Sequence, residues 1–521
     1  MDRSASSSTS ASHIAAARAD NIAAAFARSA ARHGPRTALR FGQREWTYAQ
    51  LEQAITGLAN ALRALGLASG ERVAAFGANS DAYVLLWLAC ARAGLVHVPI
   101  NHGLTAEEVD YILRQSGSRA LFHDPGDLER LAHAAEAVQW RGTLHGGSGH
   151  DVLAMASAEP GQPRQPLPTP AADDLAQILY TSGTTAAPKG AMLTHAALLA
   201  EYTSAIIELE LSAHDRALAA LPLYHSAQMH VFTVPQLIMG GYVHILASAQ
   251  AELCLSTIAQ HRLDSFFAPP TVWISLLRHP GFDGFDLSCL KRGYYGASIM
   301  PVPVLEELAR RLPVRLFNCY GQSEIGPLAT VLRPEDHAQR PASAGRPVFN
   351  VQTRVVDADG QPVAPGEQGE IVHRSPQLLR GYWDKPEETA EAFAGGWFHT
   401  GDLGVMDAEG YLTIVDRVKD VINSGGIVVS SREVEECLYR HPAVAEVAVF
   451  ALPDPRLVEA VAAVVALKDG MHADEAELIA HARAHLAHFK APRRVFFRDG
   501  LPRNGSGKLL KRELRQEYGQ R

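Results

Sequence analysis

No apolar run in this chain approaches the roughly 20 residues that span a bilayer. The longest, about Val84 to Ala91, suits a buried helix, so no transmembrane segment is expected. Cysteine is scarce: Cys90, Cys254, Cys289, Cys319 and Cys437 are scattered without a CxxC pair, which argues against a disulfide framework and for reduced thiols in a cytoplasmic protein. Excess positive charge is missing too. A formal net charge of −8 gives no footprint for nucleic acid. The 23 histidines include no HExxH, and no zinc site is expected. Residues 1–18 are Ser/Ala-rich without a continuous apolar segment; the expectation is a disordered tail, with a cleaved transit segment as the alternative.

What the chain does have is length and rhythm. Its 521 residues exceed one ordinary core and favour a large domain with a smaller one. Thr47 and Gln50 have capping-box spacing, and Leu51, Ile55, Leu58, Leu62 and Leu65 then recur at helical period before Gly66. Val73 to Phe76, Leu95 to Val98 and Ala120 to His123 read as short buried strands. Helices are expected over Tyr83 to Ala93 and after Thr105. This alternation predicts an α/β fold whose parallel-rich sheets are covered by helices. Asp124 to Leu128 and Glu159 to Pro170 read as surface loops. After Asp416 the pattern changes to a small α+β unit. Ser430 and Glu433 cap a helix, strands are expected over Val444 to Phe450 and Val461 to Leu467, and a helix from Glu475 to about His488. The domain boundary is set at Asp416 to Lys419.

The stretch Tyr180 to Gly190, YTSGTTAAPKG, contains six Gly, Ser or Thr residues and a lysine. Small residues let backbone N–H groups and hydroxyls converge on an anion, and Lys189 adds a mobile charge for a polyphosphate. It lacks the spacing of a Walker loop. It resembles the phosphate loop of the superfamily of adenylate-forming enzymes, which comprises acyl- and aryl-CoA synthetases, peptide-synthetase adenylation domains and firefly luciferase. Further segments match that superfamily in its own order: YGQSE (Tyr320 to Glu324), WFHTGDLG (Trp397 to Gly404), DRVKD (Asp416 to Asp420) and PRNGSGKLL (Pro502 to Leu510).

The resemblance, over about residues 20 to 518, implies an N-terminal acid- and ATP-binding domain (19–416), a hinge (417–419, pivoting on Lys419) and a mobile C-terminal lid (420–521). It implies that Thr181, Ser182, Gly183, Thr184, Thr185 and Lys189 cradle the phosphates, and that Gly296, Ala297 and Ser298 line the adenine and acyl pocket. Tyr320 would stack on adenine, next to Gly321. Ser323 would reach the α-phosphate, Glu324 with Thr184 would hold Mg²⁺, and Asp402 and Arg417 would take the ribose. Lys508 would enter the site for adenylation and is the strongest catalytic candidate, beside His225, Glu324, Thr184 and Lys189. His225 lies in LPLYHSAQMH, similar to a segment abutting the acyl carboxylate. Ser226, Gln228, Met229, Trp273, Tyr295, Gly296, Gly321 and Ile325 complete the expected acyl pocket, and Gly425, Gly426 and Val428 the thiol tunnel.

The implied substrates are ATP, CoA and a carboxylic acid, with Mg²⁺ as cofactor. Leu223 to Gln236 contains no acidic residue, which argues against an α-amino acid, whose ammonium needs an anionic anchor. Ser375-Pro376-Gln377, Gly381-Tyr382-Trp383 and Ser431 to Glu435 look most like bacterial fatty-acyl-CoA ligases, so a fatty or bulky hydrophobic acid is expected. Val428 stands where relatives carry a polar residue. That leaves open a second reading, in which thioester formation is weak and the acyl-AMP passes to a partner enzyme. A non-catalytic binding regulator is the remote third; a homodimer is left open.

Overall fold

The computed structural model describes residues 20–147, 149–157, 166–181, 188–298, 300–312, 314–417, 420–424, 427–454, 457–503 and 509–519. The N-terminal tail and residues 159–165 of the second expected loop lie outside them; residues 166–170 form no helix or strand. Two large sheets dominate. In one of six strands the order is Trp140–Thr143, Ser118–His123, Arg72–Phe76, Val96–Ile100, Leu175–Thr181, Lys189–Thr194. All neighbours pair in parallel except the last two, which form a hairpin. A nine-stranded sheet has a parallel centre, with antiparallel edges beyond Arg315–Tyr320 and Thr37–Phe41.

Strand alternation explains why these strands read as unbroken apolar runs. Val73 and Ala75 face a core shared with helices Ile22–His33, Tyr48–Ala64 and Asp81–Ala93, while Ala74 and Phe76 face helix Ala106–Ser116. The first core also takes in Leu39, Val243 and Ile245 of the nine-stranded sheet, so helices are packed between the two sheets. The Thr47/Gln50 capping box forms, and Leu51, Ile55, Leu58 and Leu62 are buried. The Leu95 to Val98 strand is corrected to Val96–Ile100, running through Pro99. Pro99 stands opposite Ala75 in the ladder to Arg72–Phe76, while the ladder to Leu175–Thr181 is a single pair, His97 with Gln177. Within the expected Asp124 loop, Pro125–Asp127 is a short 3₁₀ turn with proline at its start.

A four-stranded antiparallel sheet (Gln352–Val356, Gln368–Arg374, Phe398–Met406, Leu412–Arg417) ends at Arg417. Beyond it lies a five-stranded sheet, with helices Ser431–Tyr439, Glu475–His485 and Lys511–Tyr518 and its own buried core. The Glu475 helix stops at His485, three residues short of the expected end. Asp416 joins the two parts: its Oδ2 accepts the Ser431 amide at 2.7 Å, at the N-terminus of helix Ser431–Tyr439, where partial positive charge favours a carboxylate. All five cysteines are buried and unpaired. Among the described residues no helix is long and apolar enough to cross a membrane.

Candidate active site

Strand ends bring the motifs together. Thr181 closes Leu175–Thr181 and faces Lys189 across the hairpin. Tyr320 closes Arg315–Tyr320, and Gly296 closes the adjacent Arg292–Gly296. Glycine is required at two of these turns by close approach. A Cβ on Gly321 would lie 2.0 Å from the Pro327 carbonyl oxygen, and one on Gly296 would lie 2.3 Å from that of Cys319.

Glu324 sits in a cluster of hydroxyl donors. Its Oε1 accepts Thr181 Oγ1 at 3.1 Å and the Tyr382 hydroxyl at 3.2 Å. Lys189 Nζ lies 5.3 Å from the centre of the Tyr382 ring, in cation–π range. Tyr382 is delivered by backbone lacing: Met192 donates to the Gly381 carbonyl, Arg380 to that of Met192, and Trp383 to that of Gly190. Tyr382 therefore belongs to the site although no role was read for it. Its signal was the Gly381-Tyr382-Trp383 string, seen only as a family marker.

Asp402 forms the second cluster. Its Oδ2 accepts the Tyr320 hydroxyl at 2.9 Å and Gln322 Nε2 at 2.7 Å, and its Oδ1 pairs with Arg417 Nε at 3.3 Å. Asp402 and Arg417 are direct cross-strand partners, which fixes the pair by register. Burial and the neighbouring Asp402 charge push the Tyr320 phenol well above its ordinary value, so it stays a donor. Gln322 is a further participant that sequence reasoning passed over.

Between these clusters, Ser226 Oγ and Ser323 Oγ are 2.9 Å apart, which ties the LPLYHS segment to YGQSE. His225 Nε2 is shut off from solvent with no hydrogen-bond partner, and burial lowers its pKa to about 4, so the ring is neutral near pH 7. The chain then enters a π-helix, Ala227–Thr233, closed by the Val234 amide donating a hydrogen bond back to the Met229 carbonyl. The wider turn precedes Pro235, which has no amide to offer.

Other expected pocket residues are placed in the packed core. Gln228 spends its side chain on the Leu221 amide and Thr233, Met229 is buried, and Trp273 donates to the Tyr294 carbonyl at 3.1 Å beside Phe266. Ile325 and Tyr295 share one apolar cluster. The Tyr295 hydroxyl lies 3.1 Å from His337 Nε2, whose ring is oriented by Nδ1 donating to the Arg333 carbonyl at 2.8 Å. Ala297 and Ser298 are exposed, Ala297 with a φ of 62°. A cleft of ≈ 500 Å³ is lined by Asn79, His102, Tyr224, Val272 and, from the C-terminal part, Arg503. Ser182, Gly183, Thr184, Thr185, Lys419, Gly425, Gly426, Lys508 and the Val428 side chain lie outside the described residues.

The family of AMP-binding enzymes matches residues 26–383, and its C-terminal domain matches residues 433–508. A feruloyl-CoA synthase from an Amycolatopsis species is 39% identical over 473 residues, 91% of this chain and 94% of that protein. A long-chain-fatty-acid–CoA ligase of Mycobacterium tuberculosis is 35% identical over 475 residues, covering 91% and 93% of the two chains. Among solved structures, ATP-bound MatB from Rhodopseudomonas palustris superposes with a TM-score of 0.88 at 30% identity, over 96% of this chain and 99% of that one. Motifs, two-part fold and relatives agree: the chain belongs to the AMP-binding enzyme family, among the AMP-forming acyl-CoA ligases.

Proposed function

We propose that the protein activates a bulky, non-amino hydrophobic carboxylic acid with ATP and transfers the acyl group to CoA. The observation that carries this reading is the pair of carboxylates around Tyr320–Glu324. Asp402 is a multiple acceptor suited to a ribose diol, and Glu324 is a carboxylate suited to a polyphosphate-bound cation. In the first step an oxygen of the acid attacks the α-phosphorus of ATP; the bond to the β-phosphate oxygen breaks and pyrophosphate leaves. Lys508 and Lys189 offset the charge that develops on the phosphates.

Glu324 fits Mg²⁺. Both hydroxyl donors fall on Oε1, so Oε2 remains as a hard anionic oxygen of the kind this ion prefers. Glu324 with Thr184 would hold it, and the ion when bound neutralises phosphate charge. His225, neutral and without a partner on Nε2, can face the acid carboxylate as a donor or a neutral wall. In the second step the CoA sulfur attacks the acyl carbon, the bond to AMP breaks, and the thiol proton passes to solvent. The cleft reaching from Tyr224 to Arg503 suits entry of the acceptor, and the buried, unpaired thiols suit a reducing compartment such as the cytoplasm.

For the acid, the feruloyl-CoA relative and the buried Tyr295–His337 pair support a ring-bearing substrate over a long flexible chain. The test is pyrophosphate release with and without CoA across hydroxycinnamic, benzoic and fatty acids, with products identified by mass. Acid-dependent pyrophosphate, AMP and acyl-CoA together are expected. Glu324→Gln should lower the first step by about 100-fold or more. Lys508→Ala should abolish it while sparing thiolation of a supplied acyl adenylate. No acid-dependent pyrophosphate release would overturn the reading, and adenylate without thioester in the presence of CoA would limit it to the first step.

A further inference from the structure

The C-terminal unit carries a cluster of metal-ligating side chains unrelated to the site above. Cys437 lies in the last turn of helix Ser431–Tyr439; His481 and His485 stand one turn apart on helix Glu475–His485, which packs against it. One ligand atom from each of the three residues lies within 4.8 Å of the other two. We propose that Cys437, His481 and His485 form a binding site for one zinc-class divalent ion.

The hydrogen bonds around the rings prepare them for this role. His481 Nε2 is 3.1 Å from the Cys437 carbonyl oxygen, and His485 Nδ1 is 2.8 Å from the His481 carbonyl oxygen. A carbonyl accepts only, so each ring nitrogen facing one carries the proton, and the lone pair falls on His481 Nδ1 and His485 Nε2. Backbone carbonyls orient metal-bound histidines in this way in many sites. The neighbouring His441 is committed elsewhere. Its Nδ1 accepts the Ala443 amide at 3.3 Å, its Nε2 faces Glu477 Oε1 at 3.3 Å, and its ring packs edge-on against His481 with centroids 5.1 Å apart.

Size and chemistry fit as well. Tetrahedral zinc with one sulfur and two nitrogens needs ligand separations of about 3.3–3.8 Å, a contraction that side-chain rotation can supply. Sulfur and imidazole favour a borderline-soft ion over magnesium or calcium. Cys437 closes the site on the protein side, and the exposed His485 leaves it open to solvent, with a fourth position for water. By contrast, the grouping of His102, Asp124 and Asp127 is already satisfied by charge, with Asp127 on His102 at 2.7 Å and on Arg130 at 3.5 Å. Bound metal would staple the two helices of the C-terminal unit together.

The test uses tag-free, full-length protein, stripped with a chelator and titrated anaerobically with Co²⁺. The expected result is one equivalent bound with a thiolate-to-cobalt charge-transfer band in the near ultraviolet, displaced by Zn²⁺. Cys437→Ser should remove the band, and His485→Gln, a solvent-facing change that spares the core, should weaken binding at least tenfold. A rise in melting temperature with Zn²⁺ that is lost in His485→Gln would support the staple. Absence of the band in the unaltered protein, or an affinity unchanged in both variants, would overturn the proposal.

Discussion

The Tyr320 hydroxyl donates to Asp402 Oδ2 at 2.9 Å, so the end of a strand in the nine-stranded sheet and the middle of a strand in the four-stranded sheet are joined by one charge-assisted bond. Gln322 and Arg417 converge on the same carboxylate. Asp402→Ala would strand three donors and remove the acceptor for two ribose hydroxyls. Hydrogen bonds to a charged group are worth about 1.5–3 kcal/mol each. The KM for ATP in pyrophosphate exchange should therefore rise about 10- to 100-fold. Tyr320→Phe, which leaves the carboxylate in place, should raise it less.

Tyr295 should set the length of the acyl pocket. Tyr295→Phe leaves His337 Nε2 without its donor, and is expected to cost about 1 kcal/mol in a denaturant titration while leaving the order of preferred acids unchanged. Tyr295→Leu removes the ring from the apolar cluster that it shares with Ile325 and leaves a space there. The ratio of kcat/KM for a fatty acid over a hydroxycinnamic acid should then rise about tenfold or more. An unchanged ratio would remove Tyr295 from the list of specificity residues.

Three buried histidines give the fold a defined acid limit. Burial lowers the pKa of His97, His230 and His373 to about 3, against 6.5 for a free ring. In His230 the neighbouring His97 adds to the effect. Their contribution is fully present above pH 6.5. It is lost as pH falls toward 3, because the unfolded chain there binds protons that the folded chain refuses. Each adds a slope of about 1.4 kcal/mol per pH unit within that window. His373→Gln, which keeps a partner for Thr353 without titrating, should remove one such slope in urea midpoints measured from pH 7 to pH 4.

Glu201 works in the opposite sense. It is fully buried, neither oxygen meets a hydrogen-bond partner, and its Cβ and Cγ pack where a side chain on Gly326 would stand. Burial holds its pKa well above the ordinary carboxylate range. Its stabilising contribution is present at low pH and declines as pH rises from the ordinary carboxylate value through the raised one. Glu201→Gln should thus be more stable than the parent protein in alkaline buffer and nearly equal at pH 5, a difference a thermal melt series would show.

Much of this was legible because the chemistry needs particular residue types at fixed spacing. The family was legible from the YTSGTT, YGQSE and TGD strings, and the capping boxes of Thr47 and Thr105 marked their helices. Contacts between strings were not legible. Nothing local says that Tyr382 meets Glu324, or that Tyr295 points to His337, since each depends on which strands become neighbours. The Cys437 grouping was hidden for the same reason. His481 and His485 have the four-residue spacing of a chelating helix, but their thiol comes from 44 residues earlier. The surroundings of Gln228, Met229 and Trp273 were not legible either: all three are buried, which their nearness to His225 or to a motif did not say.

The carboxylate of Asp416 on the Ser431 amide has a consequence for motion. If the C-terminal unit pivots about residues 417–419, as proposed, the motion must lift that carboxylate off the helix N-terminus it holds. A charge-assisted bond of about 1.5–3 kcal/mol biases the two orientations by roughly 10- to 150-fold. Under the proposed pivot the clasp would act as a detent: strong enough to hold one pose as the resting population, weak enough for substrate contacts to release it.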